Sequence, residues 1–282
     1  MTNLQATGAN AAQIEFWNGQ AAAGWVEHQQ HMDALLEPLS VAALQRAAIK
    51  SGERVLDVGC GCGATSLAMA CAGAQVTGVD ISAPMLERAR QLASAANLQA
   101  TFVLADAADH HFAAAYDVLF SRFGVMFFAD PIAAFTKLRT ALVDGGRVTF
   151  VCWQAARDNA WMSLPATAIA ALVPPAPPID PRAPGPFAFA DRAYLDGVLR
   201  QSGFVDVAVE SVEVDLQLGA SVDEAMLFTA SVGPLSRSLA TMEGETKARA
   251  LVALRNLLGQ HLYEGAVRLG ARCWVVAARR GT

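Results

Sequence analysis

The sequence has no long apolar run. No stretch reaches the roughly 18 uninterrupted apolar residues that a membrane-spanning helix requires. The polar, uncharged start, Met1 to Gln13, lacks the basic and apolar regions of a signal peptide. We therefore expect a cytoplasmic protein without a membrane span.

Basic residues and paired cysteines are also scarce. The 21 Lys and Arg residues are scattered, and with 26 Asp and Glu they leave a formal net charge of -5. A general nucleic-acid binder needs clustered basic residues to neutralise phosphates, so we expect no nucleic-acid partner. The five cysteines form no Cys-x-x-Cys pair, which argues against a metal site. Cys60 and Cys62 are interpreted as small filling side chains rather than nucleophiles.

What the chain does have is the composition of a compact globular protein, with 54% hydrophobic and 17% charged residues among 282. Short apolar strands alternate with helices from Val55 to Trp153. The fifth strand is predicted at Arg147 to Trp153, and Asp130-Pro131 is predicted as the cap and first turn of the helix before it. This alternation predicts an α/β fold with a mostly parallel sheet covered by helices on both faces. A ligand is then expected at the carboxyl ends of the strands.

The run from Val55 to Gly63 joins an apolar strand, an acid and three alternate glycines, at positions 59, 61 and 63. Glycines let a ligand lie directly against the backbone, and the helix predicted from Ala64 to Ala72 points its amino end at the same place. Gly59, Gly61 and Ala64 also fit the dinucleotide fingerprint. Asp57 favours another ligand, because a carboxylate repels a pyrophosphate and attracts a cationic amino group.

Asp-x-Gly-x-Gly-x-Gly after a strand resembles motif I of the class I S-adenosylmethionine-dependent methyltransferases. The resemblance covers residues 52–153 well and the flanks only loosely. It implies S-adenosylmethionine as cofactor and places Asp57 near the amino group of its methionine part. It also implies a Rossmann-like, doubly wound, seven-stranded sheet with an antiparallel last strand.

Acids at the next two strand ends extend the predicted cofactor site. Asp80 follows the strand Gln75 to Val79, about 20 residues beyond the first glycine, where a carboxylate binds ribose hydroxyls; capping the helix near Pro84 is the alternative role. The resemblance implies that Asp106 meets the adenine amino group. The remaining predicted cofactor-binding residues are Ile81 and Ala107, on the two adenine faces, with Gly59, Cys60, Gly61, Gly63, Met85, Ser121, Trp17 and Trp25.

We predict four segments along the chain. They are a helical cap at residues 1–50, the cofactor-binding core at 51–153, a proline-rich lid or linker at 154–190, and the rest of the sheet at 191–282. In the last segment we predict a helix at Asp191 to Ser202, one bent strand or two at Phe204 to Leu218, and a strand at Arg272 to Ala278. Ser221 to Gly259 is predicted to be a helical insertion. We expect this segment to form a single compact unit with the core.

The acceptor is expected to be a small molecule. Ser121 to Phe128 has no Asn/Asp-Pro-Pro-Tyr-like turn of the kind used to methylate amino groups, and its apolar character suits an aromatic, polyketide-like or isoprenoid acceptor. Arg122 is a candidate for binding an anionic group, with a surface ion pair as the alternative. His28 and His31 are candidate general bases. Trp17 and Trp25 either anchor the cap or line the methyl-transfer chamber.

Two other functions stay open at this point. A nicotinamide-dependent oxidoreductase is disfavoured by Asp57 and by the absence of a Tyr-x-x-x-Lys pair. A non-catalytic protein that keeps the cofactor fold as a sensor or interaction module is the second alternative.

Overall fold

The computed structural model describes residues 4–174, 180–231 and 234–281. Its strands form one sheet with the order β3-β2-β1-β4-β5-β8-β6, and β7 pairs with β8. The strands are β1 Arg54–Val58, β2 Gln75–Asp80, β3 Ala100–Leu104, β4 Tyr116–Arg122, β5 Leu142–Trp153, β6 Phe204–Gly219, β7 Leu262–Tyr263 and β8 Ala266–Arg280.

The mostly parallel sheet is confirmed. β1 to β5 pair in parallel, and β8 runs antiparallel to β5. The predicted number of seven strands is wrong by one for the described residues, which form eight, because the two-residue strand β7 turns back onto β8. A strand this short carries no alternating pattern that the sequence reveals.

The described helices are α1 Ala11–Asn18, α2 Gln20–Glu27, α3 Gln29–Ala47, α4 Ala64–Cys71, α5 Ala83–Ala95, α6 Pro131–Ala141, α7 Ala160–Ala168, α8 Arg192–Gln201, α9 Val222–Ser231, α10 Pro234–Ala240 and α11 Gly244–Gln260. Helices alternate with strands in part of the core, where α4, α5 and α6 each separate two strands, whereas other helices follow one another directly. Two predicted helix starts are confirmed: Asp130 Oδ1 accepts the Ala133 amide at 3.0 Å, and Asp191 Oδ1 accepts the Ala193 amide at 2.8 Å.

Some elements differ in extent from the prediction. β5 begins at Leu142 rather than Arg147, and β8 begins at Ala266 rather than Arg272. The helical segment Ser221 to Gly259 contains three helices, and α11 begins at Gly244, whose φ of +53° lies outside the right-handed helical region.

The chain divides into two compact units. The first contains residues 1–153, 181–212 and 273–282, and the second contains residues 154–180 and 213–272. Aromatic side chains fill the core of the first unit around Phe135, whose ring lies 5.6 to 6.2 Å from four other phenylalanine rings; these are Phe128, Phe150, Phe189 and Phe204. Part of the predicted lid, residues 175–179, lies outside the described residues.

None of the described helices has the length and apolar character that crossing a membrane requires. The described part of the chain also brings no three His, Cys, Asp or Glu side chains into a group suited to a metal ion.

Candidate functional site

The glycine turn, residues 59–63, lies where β1 ends and α4 begins. All three of its glycines have positive φ, at 68°, 54° and 84°, so the turn uses a conformation that other residues rarely adopt. A Cβ on Gly59 would lie 2.6 Å from the Cα of Gly124, in the turn after β4. The two backbones therefore touch directly at the carboxyl ends of β1 and β4, and the turn residues from Cys60 to Gly63 are buried.

Asp57 lies on β1 with its side chain fully buried. Its Oδ2 accepts hydrogen bonds from Thr65 Oγ1 at 2.8 Å and from Ser66 Oγ at 2.6 Å, both in the first turn of α4. Its Oδ1 has no hydrogen-bond partner among the described residues. Burial raises the pKa of this carboxyl to about 6, and the two hydroxyl donors oppose the increase. The free acceptor oxygen suits a positively charged donor.

Asp80, at the end of β2, has both carboxylate oxygens occupied. Oδ2 accepts the Gly61 amide at 2.8 Å, and Oδ1 accepts the Ser82 amide at 2.8 Å. Burial raises the pKa of Asp80, and its backbone hydrogen bonds oppose that increase. Asp80 thus fixes the glycine turn and the entry to α5, where Ser82 makes no side-chain cap. Its role toward a ribose stays a prediction.

The loop after β3 is tied to the N-terminal region by an asparagine. Asn10 donates to Asp106 Oδ1 at 3.0 Å and to Oδ2 at 2.8 Å, and its own oxygen accepts the Ala129 amide at 2.9 Å. Ala107 is buried beside Asp106. Asp106 is therefore held in a fixed orientation, and its contact with an adenine stays a prediction.

A second asparagine holds the loop after β2. Asn18, the last residue of α1, donates to the carbonyl of Ile81 at 2.9 Å and accepts the Ala83 amide at 3.0 Å. Neither Asn10 nor Asn18 is identified by the sequence reasoning. Their partners lie 96 and 63 residues away, and no local pattern marks such pairs.

Aromatic residues of the cap lie against the glycine turn. Trp17 and Trp25 pack on a buried group made by Ala22, Cys62 and Met85. The Trp17 ring contacts Trp25 at 6.0 Å between ring centroids and Phe127 at 5.3 Å, both edge-on. The Met85 methyl group lies 2.8 Å from where a Cβ of Gly61 would be. The structure thus brings Trp17, Trp25 and Met85 to the predicted cofactor site.

The cysteines of the turn have the surroundings of filling side chains. Cys60 Sγ lies 2.7 Å from where a Cβ of Gly78 would be, so it occupies the space left by that glycine. Burial raises the pKa of Cys60 well above its usual range, and that of Cys62 to about 12. Both thiols are therefore kept in the protonated form, which is a poor nucleophile.

The end of β4 contributes three successive residues. Ser121 is buried; its hydroxyl donates to the Val58 carbonyl at 2.7 Å and accepts the Gly124 amide at 3.2 Å, so it joins β4 to β1. Phe123 has a φ of +64°, a strained value for a bulky residue, and stacks on Trp153 at 4.2 Å. Such strain is concentrated at ligand-binding sites.

Arg122, which lies between Ser121 and Phe123, donates hydrogen bonds to side chains of α3. It donates to Asp33 Oδ1 at 3.3 Å and to Ser40 Oγ at 3.0 Å, and only 10% of its side chain is exposed. Asp33 also accepts from Gln29, whose carbonyl oxygen accepts from Arg88 at 3.1 Å. The ion pair proposed as an alternative for Arg122 is present, but it is largely buried rather than at the surface. Binding of an anionic ligand group by Arg122 stays a prediction.

His28 and His31 lie near the junction of two cap helices. His28 caps the end of α2 and the start of α3, and His31 lies in the first turn of α3. Both side chains are half-buried. Their role as general bases stays a prediction.

The strand order, the glycine turn and the buried acid agree with the Rossmann-like fold that the resemblance implies. Residues 55–146 match a family described as a methyltransferase domain. The resemblance to S-adenosylmethionine-dependent methyltransferases is thus confirmed for the core of the chain.

Curated relatives match part of the chain. An uncharacterized protein of Mycobacterium tuberculosis (strain ATCC 25618 / H37Rv) is 34% identical over 122 residues, which are 43% of this chain and 44% of that protein. The ubiquinone biosynthesis O-methyltransferase of Bordetella parapertussis is 43% identical over 93 residues, 32% of this chain and 39% of that enzyme. The matches therefore span less than half of these relatives' own lengths.

Solved structures extend the likeness of the fold. Phosphoethanolamine N-methyltransferase 2 of Haemonchus contortus aligns with a TM-score of 0.59 and 17% identity, over 98% of this chain and 61% of that chain. Magnesium protoporphyrin IX methyltransferase of Synechocystis PCC 6803 aligns with a TM-score of 0.54 and 15% identity, over 98% of both chains. At these identities the likeness establishes the fold alone.

Proposed function

We propose that this protein binds S-adenosylmethionine at the carboxyl ends of β1, β2 and β3 and transfers its methyl group to a small molecule. The observation that carries the proposal is the buried, unpartnered Oδ1 of Asp57 beside the glycine turn. A buried acceptor without a partner is costly to stability, and a cationic amino group would satisfy it. The methyltransferase of Synechocystis named above is a solved structure with this cofactor bound, which supports the proposal.

The chain's own residues divide the binding task. Asp57 receives the ammonium group, Asp80 receives the ribose hydroxyls, and Asp106 with Ile81 and Ala107 holds the adenine. The remaining predicted contacts, Ser121 included, shape the backbone surface or the walls around it. When bound, the cofactor supplies an activated methyl group on a sulfonium. Holding an acceptor in line with that carbon and excluding water is then the main contribution of the protein.

For the acceptor, we propose an aromatic, polyketide-like or isoprenoid metabolite that is methylated on oxygen or carbon. The apolar and aromatic residues near the turn support this class: Trp17, Trp25, Phe123, Phe127 and Trp153. The partial relative that takes part in ubiquinone biosynthesis is named an O-methyltransferase, which fits an oxygen acceptor. An oxygen acceptor must lose a proton, and His28 and His31 are the proposed bases.

The test is a calorimetric titration of the full chain with S-adenosylmethionine, S-adenosylhomocysteine and NADH. We expect both adenosyl ligands to bind and NADH not to bind. Binding of NADH alone would overturn the proposal in favour of an oxidoreductase.

Catalysis needs a second experiment, because cofactor binding and turnover use different residues. The protein is incubated with methyl-labelled S-adenosylmethionine and fractionated metabolite extracts. Label in an apolar small-molecule fraction is the expected result. Cofactor binding without any label transfer would instead favour the sensor alternative.

A further inference from the structure

Arg122 and Asp57 lie on the same face of the sheet. Asp57 is directly opposite Phe120 in the parallel pairing of β1 with β4, and Arg122 follows two residues later on β4. Side chains two residues apart on a strand point to the same face, and diagonal neighbours on adjacent strands are roughly 8 Å apart. Arg122 and Asp57 are thus diagonal neighbours on one face of the sheet, and the charge of Arg122 favours the ionised Asp57 carboxylate.

Helix α3 holds the Arg122 guanidinium in place. Asp33 and Ser40 each bind one of its terminal nitrogens, and the side chains of Arg122 and Asp33 are only 10% and 22% exposed. Partial burial limits screening by solvent and salt. A charge fixed in this way acts on its neighbours more strongly than a mobile surface arginine does.

The charged groups around Asp57 act in opposite directions. Burial has the largest effect and disfavours the ionised form, whereas the neutral hydroxyls of Ser66 and Thr65 on α4 favour it. Of the charged groups, Arg122 on β4 favours the ionised form and Asp80 on β2 disfavours it. Asp33 on α3 and Arg88 on α5 act on the neighbouring Cys62 thiol. Arg122 is therefore the cation that opposes the effect of burial at Asp57.

We propose that Arg122 is a positioning residue for cofactor binding: clamped by Asp33 and Ser40, its charge keeps Asp57 ready to receive the ammonium group of the cofactor. This inference rests on the proposed function. It assigns to Arg122 an effect exerted through Asp57, without contact between Arg122 and the reacting atoms.

The experiment measures affinity against pH for two ligands on the full chain. S-Adenosylhomocysteine carries the amino-acid end that Asp57 would bind, and 5′-methylthioadenosine lacks it but keeps the ribose and adenine. The ratio of the two affinities isolates Asp57, because any titration of Asp80 affects both ligands. Arg122→Gln and Arg122→Met remove the charge, and Arg122→Lys keeps it. Having two charge-removing variants guards against a folding defect in one of them.

In the unmodified protein, we expect this ratio to fall as the pH drops through about 6, the pKa of Asp57. Removing the cation should raise that midpoint by about one pH unit, an estimate from Coulomb's law for a partly buried pair. Near pH 6 this corresponds to about fivefold weaker binding of S-adenosylhomocysteine, approaching about tenfold at lower pH, with 5′-methylthioadenosine unchanged. The lysine variant should restore the original midpoint.

Arg46→Met is the matched control, because Arg46 lies near the other end of α3 in an exposed ion pair with Glu210. Its midpoint should equal that of the unmodified protein. Equal midpoints in the charge-free Arg122 variants, or equal loss of both ligands at every pH, would overturn the inference and leave Arg122 a structural residue. If the unmodified protein binds neither ligand, the proposed function fails instead.

Discussion

The ends of β1 and β2 each carry one carboxylate beside the glycine turn, and the two differ in their hydrogen bonding. Both oxygens of Asp80 accept backbone amides, from Gly61 and Ser82. Asp57 uses one oxygen for two hydroxyls and leaves the other without a partner among the described residues. Asp80 therefore holds the glycine turn in the free protein, whereas one oxygen of Asp57 can still accept a hydrogen bond from a ligand.

Because of this difference, the free energy cost of burying an ionised carboxylate is compensated to different extents at the two acids. Backbone amides compensate part of the desolvation of Asp80. Asp57 is fully buried and keeps one uncompensated oxygen, so its ionised form destabilises the free protein. A cationic ligand removes that penalty on binding. A stability cost at a buried acid is a common property of sites that bind charged ligands.

The largest expected effect is a loss of affinity, on replacing Asp57, only for the ligand that carries an amino-acid end. Asp57→Asn keeps an oxygen for the Thr65 and Ser66 hydroxyls but removes the charge. We expect S-adenosylhomocysteine to bind about 100-fold more weakly, because a charge-assisted hydrogen bond in a buried site is lost. Calorimetry at neutral pH checks this, with 5′-methylthioadenosine as the control ligand. Equal weakening of both ligands would show that Asp57 does not contact the amino-acid end.

The same substitution should stabilise the free protein at neutral pH. Folding raises the pKa of Asp57 from 3.8 to about 6, so the native state holds a proton that the unfolded state releases. The free energy of unfolding of the unmodified protein therefore falls as the pH rises through this window. An asparagine does not titrate, so the advantage of the variant should grow by about 2 kcal/mol between about pH 4.5 and about pH 7.5.

Urea denaturation at the two pH values measures that difference. Comparing the variant with the unmodified protein across pH cancels any constant cost of the buried amide. A difference that does not change with pH would mean that the Asp57 pKa is the same in both states.

Replacement of Asp80 should weaken the binding of both adenosyl ligands alike, whether or not they carry the amino-acid end. In Asp80→Asn, one amide of the pair formed by Gly61 and Ser82 loses its acceptor, and the turn that supports all parts of the ligand loosens. We expect both adenosyl ligands to bind about tenfold more weakly, the lower end of the range for a hydrogen bond to a charged group, because an asparagine oxygen still accepts one of the two amides. Selective loss of only one ligand would contradict the role of Asp80 in organising the turn and binding the ribose.

The sequence predicts the features of this site that depend on residues close together in the chain. It does not predict the contacts between residues far apart in the chain. The glycine turn, the acids at the strand ends and the caps Asp130 and Asp191 each depend on residues close together in the chain. The hydroxyl donors to Asp57 were also within reach, since Thr65 and Ser66 follow the last glycine in the first turn of α4. The apolar pattern of that helix does not mark these two hydroxyls as donors to an acid eight and nine residues earlier.

The contacts made by the N-terminal helices belong to the other category. Asp33 meets Arg122 across 89 residues, and Asn10 meets Asp106 across 96. Hydrophobic periodicity places these helices on the sheet but does not set which polar side chains face each other, since that depends on how helix and strand ends align in space. The extra strand β7 and the longer β5 and β8 likewise depend on pairing between distant segments.

The smallest expected effect comes from replacing Asn18, which holds the loop after β2. Asn18→Ala removes the bonds that join α1 to the Ile81 carbonyl and the Ala83 amide. Because Ile81 is expected to cover the adenine, both adenosyl ligands should bind about fivefold more weakly, close to the 1 kcal/mol net value of a hydrogen bond. Glu15→Ala on the same helix is the matched control, since the Glu15 side chain is exposed. Calorimetry should give unchanged affinities for that control; equal losses in the two variants would mean that the whole helix, rather than the Asn18 contact, supports the site.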